Sequence, residues 1–197
     1  MKKRSSFFCF ACLVILVALC GAAILAWRHY KNQKHELKNL LTDDTLYDKE
    51  IRNAANKHGL PPELVRAVIK QESRFQNDKV GEAGEIGLMQ ILPRGAAAEW
   101  ARVNKCPMPS SAELKKVEVN LDIGCWYLAR AMKRYQEYRY CTELALADYN
   151  AGTRNASRWK PADKNGEMIH LIDFPTTRKY VTEIMHNYRE YLIAAKR

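Results

Sequence analysis

The chain reads as helix after helix behind one long uncharged opening. From Phe7 to Trp27 no residue carries a charge, a run of 21 positions, about the length that crosses a hydrocarbon core as a helix. Residues 28–45 are polar and read as a stalk. Residues 46–58 predict a helix closed by Gly59, and Pro61 and Pro62 open a second. In that second helix Leu64, Val65, Val68 and Ile69 recur at helical spacing. Gly81, Gly84 and Gly87 punctuate a loop. Residues 94–103 predict a short helix and 113–138 a long one, where Leu121, Cys125, Leu128, Met132 and Tyr135 mark one face. Leu144 to Ala151 is another helix. Pro175 opens the last, with Tyr180, Ile184, Tyr188 and Leu192 on one stripe. No segment alternates as a strand would. The predicted class is all-α, one domain over residues 46–197 behind the hydrophobic segment and stalk.

Lys2, Lys3 and Arg4 precede the uncharged run, and Arg28, Lys31, Lys34 and Lys38 follow it. Three readings are open. Residues 1–27 form an uncleaved membrane anchor, or a secretory signal cut after Gly21, Ala22 and Ala23, or a lipoprotein signal with Cys20 as the modified residue. Leu19 is large for the lipoprotein pattern, and the anchor is the reading adopted. Basic residues at both ends leave its orientation unset by charge.

The formal net charge of +10 invites a nucleic-acid reading. Residues 1–40, however, hold seven Lys or Arg against one Glu, so the remaining chain carries only +4. No zinc-finger spacing, aromatic RNA-binding box or basic heptad is present, and no nucleic-acid partner is expected. Of the six cysteines, Cys9, Cys12 and Cys20 lie in the hydrophobic segment. Cys125 reads as core. A Cys106–Cys141 disulfide is a minor alternative to free thiols, open only outside the cytoplasm.

The candidate chemistry sits at the end of the second helix. Glu72 lies three residues after Ile69, four after Val68 and seven after Val65, so the helical period places it on the apolar face. Burial disfavours the charged carboxylate and raises its pKa, which suits a general acid that protonates a glycosidic oxygen. A salt bridge, or escape to solvent at the helix end, explains the same position without catalysis. The following stretch, Gly81 to Pro93, combines three glycines with the run Leu88, Met89, Gln90, Ile91, Leu92. Gln90 and loop backbone suit hydrogen bonds to sugar, and Met89 and Tyr149 suit apolar contact. Core packing of Met89 and an ordinary surface Gln90 are the plainer alternative.

Three ordered blocks carry a family resemblance. Glu72, Ser73 and Phe75 followed by Gly84, Gly87, Leu88, Met89 and Gln90 form the first. Ala145 to Gly152, containing Tyr149 and Asn150, forms the second, and Pro175, Arg178, Tyr180 and Val181 form the third. Over residues 50–193 the chain resembles the soluble lytic transglycosylase domain, related in fold to goose-type lysozyme. The resemblance implies a lysozyme-like helical domain with a cleft for a glycan strand. It implies cleavage of the β-1,4 bond between N-acetylmuramic acid and N-acetylglucosamine in peptidoglycan, leaving a 1,6-anhydro ring, with no metal or cofactor. Glu72 takes the catalytic position. Ser73, Met89, Gln90, Tyr149, Asn150 and Tyr180 match substrate-binding or cleft positions, with Ser73 also supporting the helix end. Because peptidoglycan lies outside the bacterial cytoplasmic membrane, the domain is expected in the periplasm or cell-wall space.

The sequence also departs from the family. Lys79 and Gly81 stand where Ala and Ser are common, Glu85 where Ala is, and Asp148 where Ala precedes the tyrosine. Gly81 leaves open which group orients Glu72. Glu85 reads as a surface or cleft-edge residue, with a second catalytic carboxylate as the alternative. Two other functions remain in play: a lysozyme-type hydrolase, and a non-catalytic, membrane-tethered wall-binding protein. General wall turnover and local opening for a secretion machine would use the same domain.

Overall fold

The computed structural model describes residues 20–33 and 45–196. The chain divides into two units, Met1–Thr45 and Leu46–Arg197. In the first, residues 20–33 are helical and exposed. No helix among the described residues is long and apolar enough to cross a membrane. Most of the expected anchor, 1–19, and most of the stalk, 34–44, lie outside the described residues.

The second unit is built of helices. Helix α1 (Asp48–His58) starts with Asp48 and Glu50 in its first turn and ends with Lys57 and His58 in its last, complementing the helix dipole. Gly59 closes it at φ 68°, donating to the carbonyls of Ala55 and Asn56. Helix α2 (Pro62–Glu72) has Pro at its first position, where a missing N–H costs nothing. It is wrapped more fully than one stripe requires, because Leu64, Val65, Ala67, Val68 and Ile69 are all buried. It packs against α1 and against the last helix.

After α2 comes an irregular segment held by two isolated bridges, Val80 with Ile86 and Ile86 with Ile91. Five further helices fill the middle: α3 (Ala98–Asn104), α4 (Ser111–Leu114), α5 (Val117–Arg134), α6 (Cys141–Ala151) and α7 (Thr153–Arg158). Helix α8 (Pro175–Ala194) closes the fold against α2 and α6.

The helix expected from Leu144 begins at Cys141, two expected helices are interrupted, and one further helix had no counterpart in the sequence expectation. The helix expected over 94–103 is kinked at Gly95 (φ −115°, ψ −105°), so regular α geometry begins at Ala98. The helix expected over 113–138 is two. Ser110 and Glu113 form a capping box for α4, and Lys116 is extended (ψ 129°) before α5 begins. Periodicity carried through this break because Leu114 and Leu121 are both buried, and past the end of α5 because Tyr135 folds back into the core. Helix α7 had no apolar stripe to announce it. It follows Gly152, which turns the chain at φ 81°.

The cysteines resolve in favour of free thiols. Cys106, Cys125 and Cys141 are all unbridged. Cys125 is fully buried, and Cys141 donates its S–H to the Met132 carbonyl at 3.2 Å.

Candidate active site

The helical period aimed Glu72 at the apolar side, and the fold leaves its carboxyl at the edge of a cavity of about 610 Å³. Glu72 is the last residue of α2. Val65, Val68 and Ile69 before it are fully buried, so the carboxyl emerges from the core rather than from solvent. Burial pushes its pKa up to about 7, outweighing the hydrogen bond from Tyr180 and the Lys79 charge, which both lower it; Glu85 raises it slightly further.

Tyr180 answers the question of what orients Glu72. Expected as a substrate-binding residue, it is 7% exposed, and its hydroxyl donates to Glu72 Oε1 at 2.6 Å. Burial and the neighbouring Glu72 hold the Tyr180 phenol well above its ordinary pKa, so it stays a donor. The bond joins residues 108 apart in sequence, and no local signal forecasts it.

The other family positions divide into cleft and support. Gln90, Tyr149 and Asn150 line the cavity with Glu72. Tyr149 donates its hydroxyl to the Met89 carbonyl at 2.8 Å, and its ring meets Tyr127 edge-on with centroids 5.7 Å apart. Asn150 accepts from Thr177 at 2.7 Å and also borders a second cavity of about 460 Å³ shared with Tyr180. The side chains of Ser73, expected to bind substrate or support the helix end, and of Met89, expected to bind substrate, do not line this cavity. Ser73 is 1% exposed, and its hydroxyl turns back to the Ile69 carbonyl at 3.2 Å. The Met89 side chain is fully buried against Gly124, where an added Cβ would lie 2.4 Å from its sulfur.

Two departures from the family pattern gain structural accounts. Lys79 donates to the Glu72 carbonyl, placing a cation at the C-terminus of α2. Asp148 is 1% exposed and accepts from Arg134 at 2.6 Å, Tyr135 at 2.8 Å and Thr153 at 3.0 Å. It is a buried ion-pair hub behind Tyr149.

Asn120 was missed. Its side chain accepts from Met89 N–H and donates to the carbonyls of Ile86 and Leu114, each at 2.8 Å, fastening the cavity loop to α5. A Cβ on Gly87 would lie 2.3 Å from its Nδ2. The available signal was its spacing, three residues before Ile123 and eight before Leu128, which makes it a polar residue on a buried helix face like Glu72.

An all-helical domain whose cleft holds one desolvated, protonatable carboxyl defines a lysozyme-like glycan-cleaving class. The transglycosylase SLT domain model matches residues 49–172, and the chain belongs to that family. The match stops short of Pro175, so the third motif block stands outside it. Membrane-bound lytic murein transglycosylase E of Buchnera aphidicola is 30% identical over 82% of this chain and 73% of its own. An inactive mutant of lytic transglycosylase Slt from Pseudomonas aeruginosa superposes with a TM-score of 0.65 at 28% identity, over 76% of this chain. The 70 kDa soluble lytic transglycosylase of Escherichia coli gives 0.65 at 25% identity, over 74%. The match spans only about a quarter of each of these two longer chains, 25% and 24%.

Proposed function

We propose that the chain is a peptidoglycan lytic transglycosylase with Glu72 as its single acid and base. The observation that carries this reading is the Glu72 carboxyl, pushed up to about 7 by burial at the cavity edge and held there by Tyr180. Family membership and relatives named as lytic murein transglycosylases support the substrate class.

In the first step protonated Glu72 donates to the bridging oxygen between N-acetylmuramic acid and N-acetylglucosamine, and that C–O bond breaks. Cleft dipoles and the substrate's own N-acetyl group stabilise the positive charge on the muramic ring. In the second step ionised Glu72 takes the proton of the ring's C6 hydroxyl. The oxygen then bonds to the anomeric carbon and closes a 1,6-anhydro ring, and Glu72 is protonated again. An intramolecular nucleophile has a large effective concentration, so exclusion of water matters more than its activation. Tyr180 donates to the carboxylate when it is ionised and fixes which oxygen faces the sugar.

A lysozyme-type hydrolysis is the second reading, favoured by one observation: Glu85 lines the same cavity as Glu72. Mass spectrometry of sacculi digested by residues 46–197 separates the two. Anhydro-muropeptides support the lyase; exclusively reducing-end muramic acid refutes it.

Residues 1–27 serve as a single-pass anchor in the bacterial cytoplasmic membrane, with the domain on the cell-wall side. The uncharged run from Phe7 to Trp27 and relatives named as membrane-bound support this. Protease treatment of spheroplasts should remove the domain; full protection would reverse the orientation.

A further inference from the structure

The cavity loop places a second carboxylate over a bare glycine. The loop turns tightly at residues 81–84, where Gly84 N–H donates to the Gly81 carbonyl at 3.1 Å and Gly81 N–H to the Glu85 carbonyl at 2.8 Å. This folds the Glu85 side chain back across Gly81, and its Oε2 accepts from Ala83 N–H at 3.1 Å. Gln90 approaches the same spot from the other side. It sits in the left-handed region at φ 47°, unusual for a residue with a side chain. Its Nε2 is committed to the carbonyls of Gly87 at 2.9 Å and Lys79 at 3.3 Å. The amide orientation is thereby set, and Oε1 is the end left toward Gly81. A Cβ built on Gly81 would lie 2.3 Å from Glu85 Oε2 and 2.9 Å from Gln90 Oε1.

Two acceptor oxygens therefore converge above position 81 on the wall of the Glu72 cavity. A carboxylate can only accept, and an amide oxygen can only accept. The space between them suits a hydrogen-bond donor. A glycan strand of N-acetylated hexosamines brings such donors as ring hydroxyls and acetamido N–H groups. Any side chain at position 81 would collide with the Glu85 carboxylate and crowd the Gln90 oxygen, so the pair keeps this position only over glycine. The position of the Glu85 carboxylate therefore depends sterically on glycine at 81.

We propose that Glu85 and Gln90 form a substrate-contacting acceptor pair over Gly81, receiving a hydroxyl or amide N–H of the sugar beside the cleaved bond. Glu85 acts by binding and by its charge, not as a nucleophile or as a base for water. The inference rests on the glycan-cleaving reading of Glu72. Glu72 itself faces Tyr180 from α8, Tyr149 from α6, and Lys79 and Glu85 from the loop, so a charge change at Glu85 is also readable in the pH profile.

The test is steady-state kinetics of the full chain in mild detergent on soluble, peptide-free glycan strands, with Glu72→Gln as reference. Glu85→Ala should raise KM about tenfold with kcat little changed, the loss of roughly one hydrogen bond to a charged acceptor. Gly81→Ala should do the same by displacing the Glu85 and Gln90 side-chain ends. The double variant should be no worse than the poorer single, because both changes destroy one contact. Glu85→Gln keeps an acceptor. It should recover most of the KM and move the basic limb of kcat/KM to lower pH, since the Glu85 charge helps keep Glu72 protonated. Unchanged KM in Glu85→Ala, or additive losses in the double variant, overturns the acceptor pair while leaving the function intact. An active Glu72→Gln overturns the function instead.

Discussion

Glu72→Gln tests the chemistry and the physics of the site together. Gln keeps the shape and an acceptor for the Tyr180 hydroxyl, but it cannot ionise. In the wild type the folded pKa is about 7 against 4.5 for a solvent-exposed glutamate. Below 4.5 both folded and unfolded chains hold the proton, and the group contributes nothing to pH dependence. Between 4.5 and 7 the unfolded chain releases its proton first, so folding stability falls as pH rises. Above 7 the loss levels off at about 3 kcal/mol, from about 1.4 kcal/mol per pKa unit. The variant escapes this loss. Relative to wild type, Glu72→Gln should therefore match at pH 4.5 and be more stable by about 3 kcal/mol at pH 8. For a domain of this size that is roughly 6–12 °C in Tm. Urea unfolding of residues 46–197 from pH 4.5 to 8, followed by circular dichroism, measures the difference. Release of muropeptides should meanwhile fall by several orders of magnitude. A stability difference that stays flat across this range would refute the desolvated carboxyl, and with it the physical reason for assigning the acid to Glu72.

Tyr180→Phe removes the bond that lowers the Glu72 pKa; the basic limb of kcat/KM should move to higher pH while kcat falls about tenfold or more from lost orientation, as pH-rate profiles on glycan strands will show. Arg134→Ala leaves Asp148 buried without its cation and should cost about 3 kcal/mol in urea unfolding, more than Asp148→Asn, which removes the charge itself. Asn120→Ala strands the Met89 N–H and two carbonyls beneath the cavity loop; a loss of about 2–3 kcal/mol, with faster hydrogen exchange across residues 79–92, is expected.

The all-helical class, the Gly59 stop, the proline starts at Pro62 and Pro175, and the position of Glu72 on a buried face were legible in the sequence. Each depends on a local rule: helical period, backbone freedom or a missing N–H. The three motif blocks named the right region for the same reason, since each is contiguous. Side-chain direction was less legible. Met89 and Gln90 are neighbours in one motif, yet Met89 is fully buried against Gly124 while Gln90 lines the cavity. Only the left-handed turn at Gln90 and the grip of Asn120 on the Met89 amide separate their fates.

What tertiary structure alone decided is how Glu72 is held and what shares its cavity. Tyr180 reaches it from α8, a helix that meets α2 only when the core closes. Glu85 reaches the cavity because Gly81 leaves a space that no count of residues reveals. The carboxyl's apolar side was local and therefore written in a helical period. Its hydrogen-bond donor and its second carboxylate come from packing between segments, which depends on where every other side chain has gone.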